Sequence, residues 1–174
     1  SPAGAPLFTE AAEAAAAPVA VQVEEAAITV SDEPEVAEVD AGEAIEIAGP
    51  AGTNLTGWSI VLYNGSNGQQ YDSDSLAGSI PNQQAGFGTV SLSYPVNGIQ
   101  NGDPDGIALV NGTTVVQFLS YEGSFTATNG VASGMTSVDI GVREQGTEPV
   151  GQSLRLTGTG QFYEDFTWNA PATA

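Results

Sequence analysis

At 174 residues the chain is long enough to bury one sizeable core and short for two. It carries 21 acidic residues against two basic ones, Arg143 and Arg155, for a formal charge of −19, and it lacks histidine, cysteine and lysine. That composition excludes disulfide staples, thiolate metal sites, cysteine nucleophiles and histidine-based triads, and it opposes binding to nucleic-acid phosphates or anionic lipid headgroups, which need Lys and Arg.

The first segment, "SPAGAPLFTEAAEAAAAP", is acidic and rich in alanine. Ala11 to Ala17 offers a helical turn or two, too short to persist alone in water, and Pro18 ends it. No basic start precedes an apolar stretch, and the chain opens on Ser1; the expectation is an exported protein, extracellular or on the cell surface, whose signal peptide has been removed. No apolar run approaches the ~20 residues that cross a bilayer, so no membrane insertion is expected. In "VAVQVEEAAITV", Val19, Val21 and Val23 alternate with Ala20 and Gln22, which predicts a strand over 18–25. Ile28 and Val30 start a second alternation. Two readings are open: an ordinary first strand packed at home, or a strand with no partner in its own domain. Residues 1–25 are thus an extended tail and 26–174 a domain.

Early in that second part lies "SDEPEVAEVDAGE", with Asp32, Glu33, Glu35, Glu38, Asp40 and Glu43. This reads first as a solvated acidic segment and second as a cation cluster. From Gly42 the composition turns to Gly, Asn, Ser, Thr, aromatic and β-branched residues. Strands are predicted at 44–48, 57–63, 68–75, 88–93, 106–110, 115–121, 139–142, 153–157 and 162–168, separated by "NGSNG", "NGDPDG" and "TNG" turns. Asn111-Gly112, between "IALV" and "TTVVQFLSYEG", predicts a hairpin with a type I′ turn. Many short strands with Gly-rich turns define an all-β sandwich or barrel.

"GEAIEIAGPAGTNLTGWSIVLYNG" resembles the opening of a lamin-tail domain, in the exported bacterial branch of that family. The matching residues are Glu43, Ile45, Glu46, Ile47, Leu55, Gly57, Trp58 and Ile60 to Tyr63. The resemblance continues through "YPVNGIQNGDPDGIALV", "VVQFLSYEGSFTATNGVASGMTSVDIGV", "GQSLRLTGTG" and "DFTWNAP", covering about residues 26–171. Ala44 stands where the family carries an aromatic residue. The resemblance implies an immunoglobulin-like β-sandwich, here with an extended N-terminal tail.

A core is expected from Ile45, Ile47, Trp58, Ile60, Leu62, Leu109, Phe118, Leu119 and Trp168. Trp58, Trp168 and the tyrosines are otherwise ligand platforms, with core the favoured role in a small sandwich. Asp103 and Asp105 in "NGDPDG" form the oxygen-rich turn that suits Ca²⁺. The same residues favour turns without any metal. Asp72 and Asp74 in "YDSDS" are a weaker pair that alternation places on one strand face. No catalytic residue is assigned, and the chain is not expected to be an enzyme. The leading expectation is an extracellular structural protein, a subunit of a surface filament. Its N-terminal strand, carried by Val19, Val21, Val23, Ile28 and Val30, would complete the sandwich of a neighbouring copy. The alternatives are an accessory or targeting domain of a larger exported enzyme, such as an extracellular nuclease, and a carbohydrate-binding or adhesive module with a glycan or cell-surface partner.

Overall fold

The computed structural model describes residues 20–24, 43–95, 97–143, 152–159 and 163–173. The strands are β1 (Ala20–Glu24), β2 (Ala44–Pro50), β3 (Trp58–Asn64), β4 (Gln69–Ser75), β5 (Phe87–Ser93), β6 (Asp105–Asn111), β7 (Thr114–Tyr121), β8 (Val138–Asp139), β9 (Gln152–Gly158) and β10 (Phe166–Thr173). A single 3-10 turn at Tyr163–Asp165 is the only helical element among the described residues, so no helix there is long and apolar enough to cross a membrane. The strands form two five-stranded sheets, ordered β10-β9-β1-β2-β5 and β4-β3-β6-β7-β8. All pairings are antiparallel except β7 with β8.

The two sheets pack face to face over one apolar core. Ile45 and Ile47 of β2 and Leu154 of β9 meet Trp58, Ile60 and Leu62 of β3, Ile107 and Leu109 of β6, and Leu119 of β7. This is an all-β sandwich, as expected. Of the anticipated core residues, Ile45, Ile47, Trp58, Ile60, Leu62, Leu109, Phe118 and Leu119 are buried, and Trp168 is half-buried against the same cluster.

The central strands of the second sheet, β3 and β6 with the end of β7, are buried on both faces. Alternation along β3 sends Ile60 and Leu62 inward and Val61 and Tyr63 outward. Val61, Tyr63, Ala108, Val110 and Phe118 form a second cluster, roofed by Phe125, Ala127 and Ala132 from the segment after β7. The near-continuous apolar reading of "SIVLY" and "IALV" is the pattern of strands covered on both sides. Phe118 holds the roof by edge contact, its ring centroid 5.5 Å from that of Phe125 at 86°.

Three local expectations are corrected. The β6–β7 hairpin pairs Asn111 with Thr114, so its centre is Gly112-Thr113 rather than Asn111-Gly112. Of these, Gly112 alone takes positive φ (61°), which fits a II′ turn and not I′. The strand expected at 139–142 is only Val138–Asp139, because Gly141 enters the left-handed region (φ 75°) and turns the chain away. The last strand begins at Phe166, after the 3-10 turn.

Candidate assembly site

β1 occupies the middle of its sheet. It pairs antiparallel with β2 on one side, with Val21 opposite Ile47 and Val23 opposite Ile45. On the other side it pairs antiparallel with β9, with Val23 opposite Leu154 and Glu24 opposite Ser153. Ile45, Ile47 and Leu154 are fully buried. Opposed residues in an antiparallel pair share a face, so the register gives positions 21 and 23 to the core face. The strand with "no partner in its own domain" therefore does have partners here, in the reading of a first strand packed at home. The sandwich includes residues 20–24, which composition assigns to the tail. Val19, Ile28 and Val30 lie outside the described residues.

Without β1 the sheet divides into β10-β9 and β2-β5, separated by the width of one strand on either side of the missing member, about 10 Å in all. Two rows of main-chain donors and acceptors would then face an empty track floored by Ile45, Ile47 and Leu154. The site is a strand-shaped slot with main-chain hydrogen bonds along both walls and an apolar floor. Such a slot recognises an extended segment with apolar residues at alternate positions.

Glu43 stands immediately before β2. Glu43 is fully buried. Its Oε2 accepts the backbone N–H of Gly98 at 2.6 Å and of Ile99 at 2.8 Å. Asp105 clamps the same loop from its far end, its Oδ1 accepting the N–H of Gly65 at 2.8 Å and its Oδ2 that of Gly102 at 2.5 Å. Between the two carboxylates, Tyr71 Oη accepts the N–H of Gln100 at 2.8 Å, Tyr121 donates its hydroxyl to the Gln100 carbonyl, and Asn64 Nδ2 donates to Gln100 Oε1 at 2.6 Å. Residues 97–104 are thus tied to β2, β3, β4, β6 and β7. Sequence reasoning placed Glu43 among solvated acids; the structure makes it an anchor. The signal for it was its place in the family-like "GEAIEI" pattern, directly ahead of an apolar alternation.

Burial raises the Asp105 pKa above the usual carboxylate range, against the lowering effect of its two amide donors. Glu122 is also raised, first by desolvation and then by the neighbouring Asp103 carboxylate, with Arg143 opposing. The Ca²⁺ expectation at Asp103 and Asp105 meets a divided pair. Asp103 is exposed beside Glu122, while Asp105 is buried with both oxygens engaged by backbone amides. Among the described residues no group of three or more acidic side chains is gathered in a way that could hold a metal ion.

Asp72 and Asp74 do fall on one face of β4, opposite Leu62 and Ile60 of β3. Their partners are core residues, but on this edge strand Asp72 is exposed and Asp74 half-buried. Asp74 lies next to Tyr94, whose hydroxyl pKa is pushed far up by burial and by these acids. Charged side chains along an edge strand obstruct the addition of a further strand there.

The aromatic platforms are mostly occupied by structure. Trp58 is core, Tyr94 is buried, and the Tyr63 hydroxyl accepts the Ala132 N–H at 3.0 Å beneath the roof. Trp168 donates its indole N–H to Tyr163 Oη at 2.7 Å. Comparison with protein-family models, with curated proteins and with solved structures gave no match.

Proposed function

We propose that the chain is a non-enzymatic extracellular structural module of lamin-tail type, with an immunoglobulin-like sandwich, that builds a surface filament by donating its N-terminal strand to a neighbouring copy. The observation that carries this reading is the position of β1: a strand from the start of the chain fills the centre of a sheet whose other members come from residues 44–93 and 152–173. Exchange of an identical element between copies costs little, since the strand finds the same pairing in a neighbour as in its own sheet. The absence of His, Cys and Lys from the whole sequence removes cysteine nucleophiles and the His or Lys bases that activate a serine, which supports a role without catalysis. The family-like residues Ile45, Ile47, Leu55 and Trp58 all lie in the core, which supports the lamin-tail reading.

Negative-stain microscopy of the chain with and without residues 1–25, in low and high salt and with millimolar Ca²⁺, tests the proposal. Filaments that vanish on truncation are the expected result. Monodisperse particles in every condition would overturn it.

A further inference from the structure

The connection between β1 and β2 is far longer than their geometry requires. Glu24 and Ala44 are paired neighbours, and two to five residues suffice to close an antiparallel hairpin. The chain instead places residues 25–43 between them. Residues 25–42 alone reach roughly 60 Å when extended, at 3.3–3.6 Å per residue. That span exceeds the diameter of a domain this size, so β1 can lie either in its own slot or in that of a second copy without moving Glu43. Glu43 is the fixed end of the connection, since its buried carboxylate is held by the amides of Gly98 and Ile99.

We infer that the β2–β9 slot is one acceptor site with two competing occupants, the chain's own β1 and the β1 of a second copy, so that the self-filled monomer is the resting form and exchange is the step that joins copies. This rests on the assembly reading above and specifies its surface, its partner and its control. Both occupants offer the same five residues in the same register, so the slot holds them equally well. The choice is set by concentration. A tethered strand faces its own slot at an effective concentration of order millimolar, and a neighbour competes only when its concentration approaches that value. Charge opposes the encounter as well, since each copy carries −19. Salt lifts this barrier, the screening length falling to about 3 Å at 1 M. The second sheet does not offer an equal site at β4, where Asp72 and Asp74 put two carboxylates along the edge.

The lack of native cysteine permits a direct test. Gln22 lies opposite Glu46 across the β1–β2 pair, in the register row that faces away from Ile45 and Ile47. Opposed residues in such a pair are about 4.5–5.5 Å apart at Cα, within the roughly 4.4–6.8 Å that a disulfide spans. A Gln22→Cys chain and a Glu46→Cys chain, each checked by circular dichroism for native β structure, are mixed from about 10 μM to about 2 mM in 1 M NaCl and then oxidised mildly. A Gln22→Cys with Thr114→Cys mixture, exposed and in the other sheet, measures random cross-linking. The expected result on a non-reducing gel is a mixed Gln22→Cys/Glu46→Cys dimer that rises with concentration to several times the control. A mixed dimer no more abundant than the control at every concentration overturns the inference. If that failure accompanies filaments in the microscope, assembly proceeds through another surface. A strong mixed dimer without filaments leaves exchange standing and removes the filament reading, the exchange then closing into a reciprocal dimer.

Discussion

Glu43 accepts the backbone N–H of Ile99 at 2.8 Å, inside the sandwich and 56 residues away along the chain. Removing this carboxylate strands the buried Ile99 N–H, whereas the Gly98 N–H keeps the Pro95 carbonyl as an acceptor at 2.8 Å. Glu43→Ala is therefore expected to lower stability by about 1–3 kcal/mol, from one unsatisfied buried N–H group. Glu43→Gln, which keeps an acceptor oxygen, should lose less. Urea unfolding with an unchanged m-value checks both. A loss under about 0.5 kcal/mol for Glu43→Ala would mean that water replaces the carboxylate and that the anchor is dispensable.

The Tyr63 hydroxyl plays the corresponding part on the outer face. Tyr63→Phe should cost about 1–2 kcal/mol by orphaning the Ala132 N–H. The effect should be local: the Ala132 amide should exchange with solvent faster than that of Leu109, which lies in the shared core. Equal acceleration at both sites would mean that the roof and the sandwich open as one unit.

Gly106 sits where strand and roof meet closely. A Cβ there would come within 2.8 Å of the Leu119 carbonyl oxygen and of the Phe125 ring. Gly106→Ala is expected to destabilise by about 1–3 kcal/mol through overpacking. Thermal unfolding gives the answer, and an unchanged midpoint would show that both the Phe125 ring and the Leu119 backbone have room to shift.

Acid should stabilise this protein over a range where many lose stability. Asp105 and Glu122 have pKa values raised on folding, so between the unfolded and folded values the folded state holds more protons. Stability then falls as pH rises through that window, which starts near the ordinary carboxylate range; the penalty is complete above the folded pKa and absent below the unfolded one. Relief of the −19 self-repulsion acts in the same direction. The unfolding midpoint should climb as pH is lowered from neutrality towards the ordinary carboxylate range. Asp105→Asn should be less stable overall yet show a shallower climb. A midpoint that falls steadily over the same interval would show that the amide donors to Asp105 outweigh its burial.

Much of this fold is legible residue by residue. Strands β2 to β7 are marked by alternation and by Gly and Asn at their ends, and each falls within about two residues of its expected bounds. What local pattern does not carry is partnership. Nothing in "AVQVE" says that its neighbours are "AIEIAGP" and "QSLRLTG", because main-chain pairing between residues 23 and 154 depends on which edges remain open once the hairpins have formed. Glu43 escaped for a related reason. An acid in an acidic run reads as solvated, and only the arrival of the Gly98 and Ile99 amides makes its burial tolerable. The roof over the second sheet was foreshadowed by the unbroken apolar run in β3, which has no polar face to show to water.

The two sheets also differ in how far apart along the chain their members lie. β3 pairs with β4 and β6, and β6 with β7, all between residues 58 and 121, whereas β1 must wait for β9. Because closing a long loop costs entropy before any pairing offsets it, the second sheet can order early and the first sheet must close late. During refolding, the amides of Leu109 should gain protection before those of Leu154, as pulse-labelled exchange would reveal. For that interval every newly made copy presents an unfinished sheet to its neighbours, so the history of synthesis and crowding at the site of folding, and not only the final free energies, decides which strand arrives first.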